Sequence, residues 1–96
     1  MDEFTKDRFR VMDGDSVEVK IRFTKNLSQY VKERTWHPSQ RIADEAGGGI
    51  TLTMQVEGLA EVKSWVLSFG SHAEVLAPDV LRSDVAGELK SAAVKY

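Results

Sequence analysis

Two stretches of the chain alternate apolar and polar side chains with period two, and they constrain the fold more than any other feature. Val17, Val19, Ile21 and Phe23 interleave with Glu18, Lys20 and Arg22, and Ile50, Leu52, Met54 and Val56 interleave with Thr51, Thr53 and Gln55. Successive side chains of a strand point to opposite faces, so each stretch predicts a strand with one apolar and one polar face. A sheet built from such strands must bury its apolar face against something else. The chain supplies that layer itself: Val62, Trp65, Val66 and Phe69 fall at i, i+3, i+4 and i+7, one face of a helix.

The remaining elements follow from punctuation. Asp13-Gly14-Asp15 reads as a turn, after a charged stretch over 1–15 that holds Phe4, Phe9 and Val11. Asn26 is a candidate helix cap, followed by Leu27, Tyr30, Val31 and Arg34 at helical spacing, which predicts a short helix over 27–35 with Pro38 preventing continuation. A weaker strand is expected over 38–44, and Gly47-Gly48-Gly49 reads as a hairpin turn into the strand over 50–57. Gly70 suits the C′ position of the central helix. A short strand over 73–77 follows, and Pro78-Asp79 opens a last helix with a stripe of Leu81, Val85, Leu89, Ala92 or Ala93, and Tyr96. The order β-α-β-β-α-β-α gives an α+β class. Its first six elements match the ferredoxin-like βαββαβ plan, with an additional C-terminal helix. Right-handed crossovers then place the strands in the order 4-1-3-2, all neighbours antiparallel. Both internal helices would cover one face, leaving the other open unless the last helix or a partner covers it.

Bulk properties narrow the function classes. At 96 residues there is room for one domain with a modest core. A net charge of −2 argues against duplex DNA binding through overall charge, though not against a local basic patch. With no cysteine, disulfides, thiolate metal sites and thiol nucleophiles are excluded, in keeping with a reducing, cytoplasmic setting. No apolar run approaches the roughly 18 residues of a membrane span, and the charged start lacks a signal core, so no membrane partner is expected.

Five segments carry a family resemblance: Trp36-His37-Pro38-Ser39-Gln40, Trp65-Val66-Leu67-Ser68-Phe69-Gly70, Val75-Leu76-Ala77-Pro78, Leu81-Arg82 with the helix ending in Tyr96, and the lead strand from Val17 to Phe23. Together, in order and at compatible spacing, they resemble the C-terminal extension, or WCX domain, of WYL-type helix-turn-helix transcriptional regulators of bacteria, over about residues 16–96. The resemblance implies a ferredoxin-like module that helps dimerisation and takes part in effector sensing. Its gene product would bind operator DNA through an N-terminal winged helix-turn-helix, followed by a WYL domain that senses a ligand, in some members a nucleic acid. Neither of those parts occurs in this sequence. The expectation is therefore an excised fragment, with 1–15 a lead-in from a missing upstream WYL domain and 16–96 the extension domain.

The candidate ligand-binding residues are Lys20, Arg22, Arg41, Trp36 and His37. Lys20 and Arg22 share the polar face of a central strand about 7 Å apart, comparable to successive phosphates, and Arg41 on the edge strand could join them. Such a face could hold an anion or a nucleic-acid strand. No aromatic occupies its polar positions, so base stacking is unsupported. The competing reading is a solvated or dimer-buried face. Trp36 and His37 could form a pocket with Arg41; alternatively Trp36 anchors the core and His37 orients a turn. Two histidines without a pattern of carboxylates do not make a metal site. Neither Ser39 near His37 nor Ser71 beside His72 supplies a nucleophile–base–orienter arrangement, and the triple glycine lacks the residues of a phosphate loop. The expectation is a non-enzymatic module without cofactors, a homodimer serving regulation. The alternative is a stand-alone binder of a small ligand or single-stranded nucleic acid on the open sheet face.

Overall fold

The computed structural model describes residues 16–96 of the chain, so the expected lead-in over 1–15 lies outside the described residues. The elements run β1 (Val17–Phe23), α1 (Lys25–Lys32), β2 (Arg41–Asp44), β3 (Ile50–Val56), α2 (Leu59–Leu67), β4 (Ala73–Ala77) and α3 (Asp79–Val94), with a single 3₁₀ turn at Gly70–His72. The four strands form one sheet in the order β2-β3-β1-β4. This is the predicted 4-1-3-2 order read from the opposite edge, and every neighbouring pair is antiparallel.

Register sets what each face holds. Val19 lies opposite Met54, Ile21 opposite Leu52 and Phe23 opposite Ile50, so the apolar positions of β1 and β3 share one face. Val75 of β4 joins them beside Ile21. All three helices close over this face: Val31 of α1, Val62, Trp65 and Val66 of α2, and Leu81 and Val85 of α3 belong to one core cluster with the strands. Phe23 and Trp65 meet edge to face with centroids 5.7 Å apart, and Phe69 stands edge-on to both. Phe69 itself is only half-buried, at the margin of this core.

The last helix does not close the second face. It packs on α2 and β4 in the same layer as the other helices, and Lys63 of α2 reaches Asp84 (3.2 Å) and Glu88 (3.7 Å) across the contact. The expected stripe of α3 is buried only at its start. Leu81 and Val85 are covered, whereas Leu89 is 44% exposed and Ala92, Ala93 and Tyr96 lie in solvent. Length explains the difference: a five-residue strand spans about 17 Å and a 16-residue helix about 24 Å. The helix outruns the strand it packs against.

Several boundaries differ from expectation for identifiable reasons. Thr24, not Asn26, is the N-cap of α1. Its Oγ1 is engaged with His72 Nδ1 at 3.0 Å, and its backbone N–H donates to the His72 carbonyl, so the start of α1 is tied to the end of the 3₁₀ turn. The helix stops at Lys32, because Trp36 turns back and donates from Nε1 to the Val31 carbonyl. β2 begins at Arg41 rather than residue 38, since the preceding residues form a closed turn described below. Gly70, at φ +60°, lies two residues beyond the C-cap Ser68 and begins the 3₁₀ turn. Gly47 and Gly48 turn the β2–β3 hairpin at φ +90° and +98°, values that other residues rarely adopt.

Candidate functional site

The open face of the sheet is built from two cross-strand rows. Arg41 pairs with Thr53, Thr53 with Lys20 and Lys20 with Ala77; one step along the strands, Ala43 pairs with Thr51, Thr51 with Arg22 and Arg22 with Glu74. The structure therefore brings Lys20, Arg22 and Arg41 onto one face, with two threonine hydroxyls between them. It does not leave all three cations bare. Arg22 Nη1 lies 3.4 Å from Glu74 Oε1, and Arg41 Nη2 lies 3.4 Å from Glu18 Oε2. Among the described residues Lys20 has no ion-pair partner and stands between Thr53 and Ala77. Thr51 is itself engaged, donating to Glu45 at the hairpin end. An anion on this face would meet one free ammonium and two guanidiniums whose carboxylate partners must first be displaced.

Trp36 and His37 lie elsewhere. They are 6% and 2% exposed. Trp36 packs between Tyr30 and Trp65, with ring centroids 5.8 and 4.8 Å away. The segment Trp36-His37-Pro38-Ser39-Gln40 is a hydrogen-bonded clasp. Gln40 Oε1 accepts from the backbone N–H groups of Trp36 (2.6 Å) and His37 (3.2 Å), while its Nε2 donates to the Arg34 carbonyl. His37 Nδ1 accepts the Ser39 backbone N–H at 3.0 Å and lies 2.7 Å from the Ser39 hydroxyl. Ser39 Oγ in turn accepts the Gln55 N–H of β3 at 2.8 Å. The serine and histidine are thus in contact, but both are spent on closing the turn and joining it to the sheet. This geometry corresponds to an anchoring tryptophan and a turn-orienting histidine.

A second charged group sits at the free edge of β4, and the sequence reading passed over it. Arg82 of α3 wraps this edge: its Nη1 donates to the Val75 carbonyl at 2.7 Å and lies 3.4 Å from Glu74 Oε2. Glu74 is therefore shared between Arg22 on the open face and Arg82 on the helix. Beside it, a cleft of about 180 Å³ is lined by Ala73, Glu74, Val75, Arg82, Val85, Ala86 and Leu89. In the sequence, the one signal near this group is the Leu81-Arg82 dipeptide at the start of α3.

The pattern that defines the WCX domain matches residues 15–93. The chain belongs to the WCX domain family. No curated protein matches it. The match spans every strand and nearly all of α3, so the WCX pattern covers both the clasp around Trp36 and the Glu74–Arg82 edge. Among the described residues no helix is long and apolar enough to cross a membrane, and no group of three or more His, Asp or Glu side chains is placed to hold a metal ion.

Proposed function

We propose that this WCX domain is the C-terminal regulatory and dimerisation module of a WYL-type bacterial transcriptional regulator, built on a ferredoxin-like plan. Operator DNA would be bound by other parts of that protein, and the domain would act without catalysis. Membership of the WCX family supports the regulatory role, and the far half of α3 supports dimerisation. Leu89 continues the buried line of Leu81 and Val85 into solvent, with Tyr96 exposed just past the end of the helix, and an apolar stripe on a helix calls for a cover. A second copy offers the same stripe, which a two-fold contact pairs with itself. In such a module a ligand acts by binding one dimer geometry better than another. Sedimentation equilibrium of the chain tests the reading: a dimer is expected at high micromolar concentration, and Leu89→Asp is expected to yield a monomer with an unchanged circular dichroism spectrum. A wild-type chain that stays monomeric there overturns the dimerisation claim.

Effector sensing on the open face is the second part of the reading, favoured by Lys20 lying free between the two arginine pairs. Binding of a single-stranded oligonucleotide by Lys20, Arg22 and Arg41 would release about two counterions, for a log–log salt slope near −2. Competition from Glu18 and Glu74 makes this weak binding, useful beside contacts from a WYL domain or a second subunit. A slope near zero would set the oligonucleotide reading aside.

A further inference from the structure

We propose that the edge of β4 carries a binding site for a small amphipathic carboxylate, with its head held by Arg82 and Arg22 and its apolar body in the adjoining cleft. The present occupant of the head position is the protein's own Glu74. Its two oxygens face the two guanidiniums, Oε1 towards Arg22 and Oε2 towards Arg82, each at 3.4 Å. Close charge-assisted contacts are about 2.7–2.9 Å, so the strand-bound carboxylate bridges both arginines without seating well on either. All three side chains are about half exposed, at 49%, 51% and 52% for Arg22, Glu74 and Arg82. Exposed pairs of this kind contribute little, so displacing Glu74 costs little, and the apolar body in the cleft must offset the freedom that a free ligand loses on binding.

Arg82 is held ready for that exchange. The 2.7 Å bond from Nη1 to the Val75 carbonyl fixes the guanidinium at the strand edge, and no described residue engages its Nε or Nη2. Two arginines against one glutamate leave the site with one excess positive charge. The cleft then sets the rest of the ligand. Ala73, Val75, Val85, Ala86 and Leu89 give it apolar walls, and its volume of about 180 Å³ suits a body near the size of benzene, which fills an engineered cavity of about 150 Å³. A few charged groups at the mouth of an apolar cleft is the ordinary make-up of a small-molecule site. The site rests on the regulatory reading for its consequence only, because Leu89 also begins the exposed stripe of α3 and so links ligand occupancy to assembly.

Phenylacetate is the probe, followed by backbone amide chemical shifts of the full chain at one fixed chain concentration. Acetate serves as the head alone and benzyl alcohol as the body alone. The expected result is saturable shifts at Ala73–Val75 and Arg82–Leu89, with phenylacetate at least tenfold tighter than either control. Glu74→Gln should tighten binding several-fold and Arg82→Gln should weaken it about tenfold. Because Arg82→Gln also removes the bond to Val75, Arg22→Gln provides a second test with that bond intact and should weaken binding as well. Lys20→Ala should leave binding unchanged. Equal affinity for phenylacetate and acetate, shifts centred on Lys20, or indifference to both arginine changes would overturn the site. A chain that dimerises but ignores phenylacetate overturns the site and leaves dimerisation standing; a monomer that binds it does the reverse.

Discussion

The two faces of the sheet use the same strands for opposite ends. On the covered face, Val19, Ile21, Phe23, Ile50, Leu52 and Met54 are wholly removed from water and interlock with residues of all three helices. On the open face, Glu18 and Arg22, their immediate neighbours in sequence, pair loosely with Arg41 and Glu74 at 3.4 Å, with side-chain exposures from 44% to 68%. A side chain of the first kind is fixed by shape, and its loss leaves a cavity. One of the second kind trades one solvated partner for another at little cost. The domain can therefore change its surface without losing its fold on the open face, along the β4 edge and on the far half of α3.

The largest effect is expected from Trp65→Ala, which empties the space between Phe23, Trp36 and Phe69 and should cost about 3–5 kcal/mol in urea unfolding. This is a large part of the stability of a domain of this size. Next is Gln40→Ala. It deprives the Trp36 and His37 N–H groups of their shared acceptor at a part-buried turn and should cost about 1–3 kcal/mol. Within α3 the contrast should appear along one helix: Val85→Ala should cost about 1–2 kcal/mol and Leu89→Ala less than half as much, because only the first is buried in the chain. A larger loss for Leu89, growing with chain concentration, would point to burial in an assembly. The smallest effect is expected from Arg41→Ala, within about 0.5 kcal/mol, since its pair with Glu18 is exposed.

The covered face was the more legible in the sequence, because burial writes itself as periodicity. The alternation in β1 and β3 located these strands to within a residue, the i, i+3, i+4 spacing of Val62, Trp65 and Val66 marked the buried face of α2, although Phe69 falls beyond its end, and the order of the elements led to the strand arrangement. The turn around His37 was legible, but the way it closes was not. Its structure depends on Gln40 reaching back to three backbone groups and on Ser39 meeting β3, contacts that no local spacing reveals. The same tertiary bonds moved the start of β2 and go with the burial of Trp36 and His37. The extent of α3 burial was missed because an apolar stripe states which side of a helix wants cover, not how far the strand beneath it reaches. On the open face the sequence placed Lys20, Arg22 and Arg41 together. It was silent on Glu18 and Glu74 as their partners, since ion pairs at 3.4 Å arise from side-chain reach across strands rather than from any repeat.

The division between a face that holds the fold and a surface free for recognition can be tested with one protein. The triple change Lys20→Ala, Arg22→Ala, Arg41→Ala removes the three cations that the described residues place on the open face while leaving the core, the clasp and Arg82 in place. Urea unfolding of this variant should show a stability within about 1.5 kcal/mol of the parent chain, the sum of small and largely independent surface terms. A loss of about 3 kcal/mol or more, on the scale expected for Trp65→Ala, would contradict the account by making the open face part of what holds the domain together.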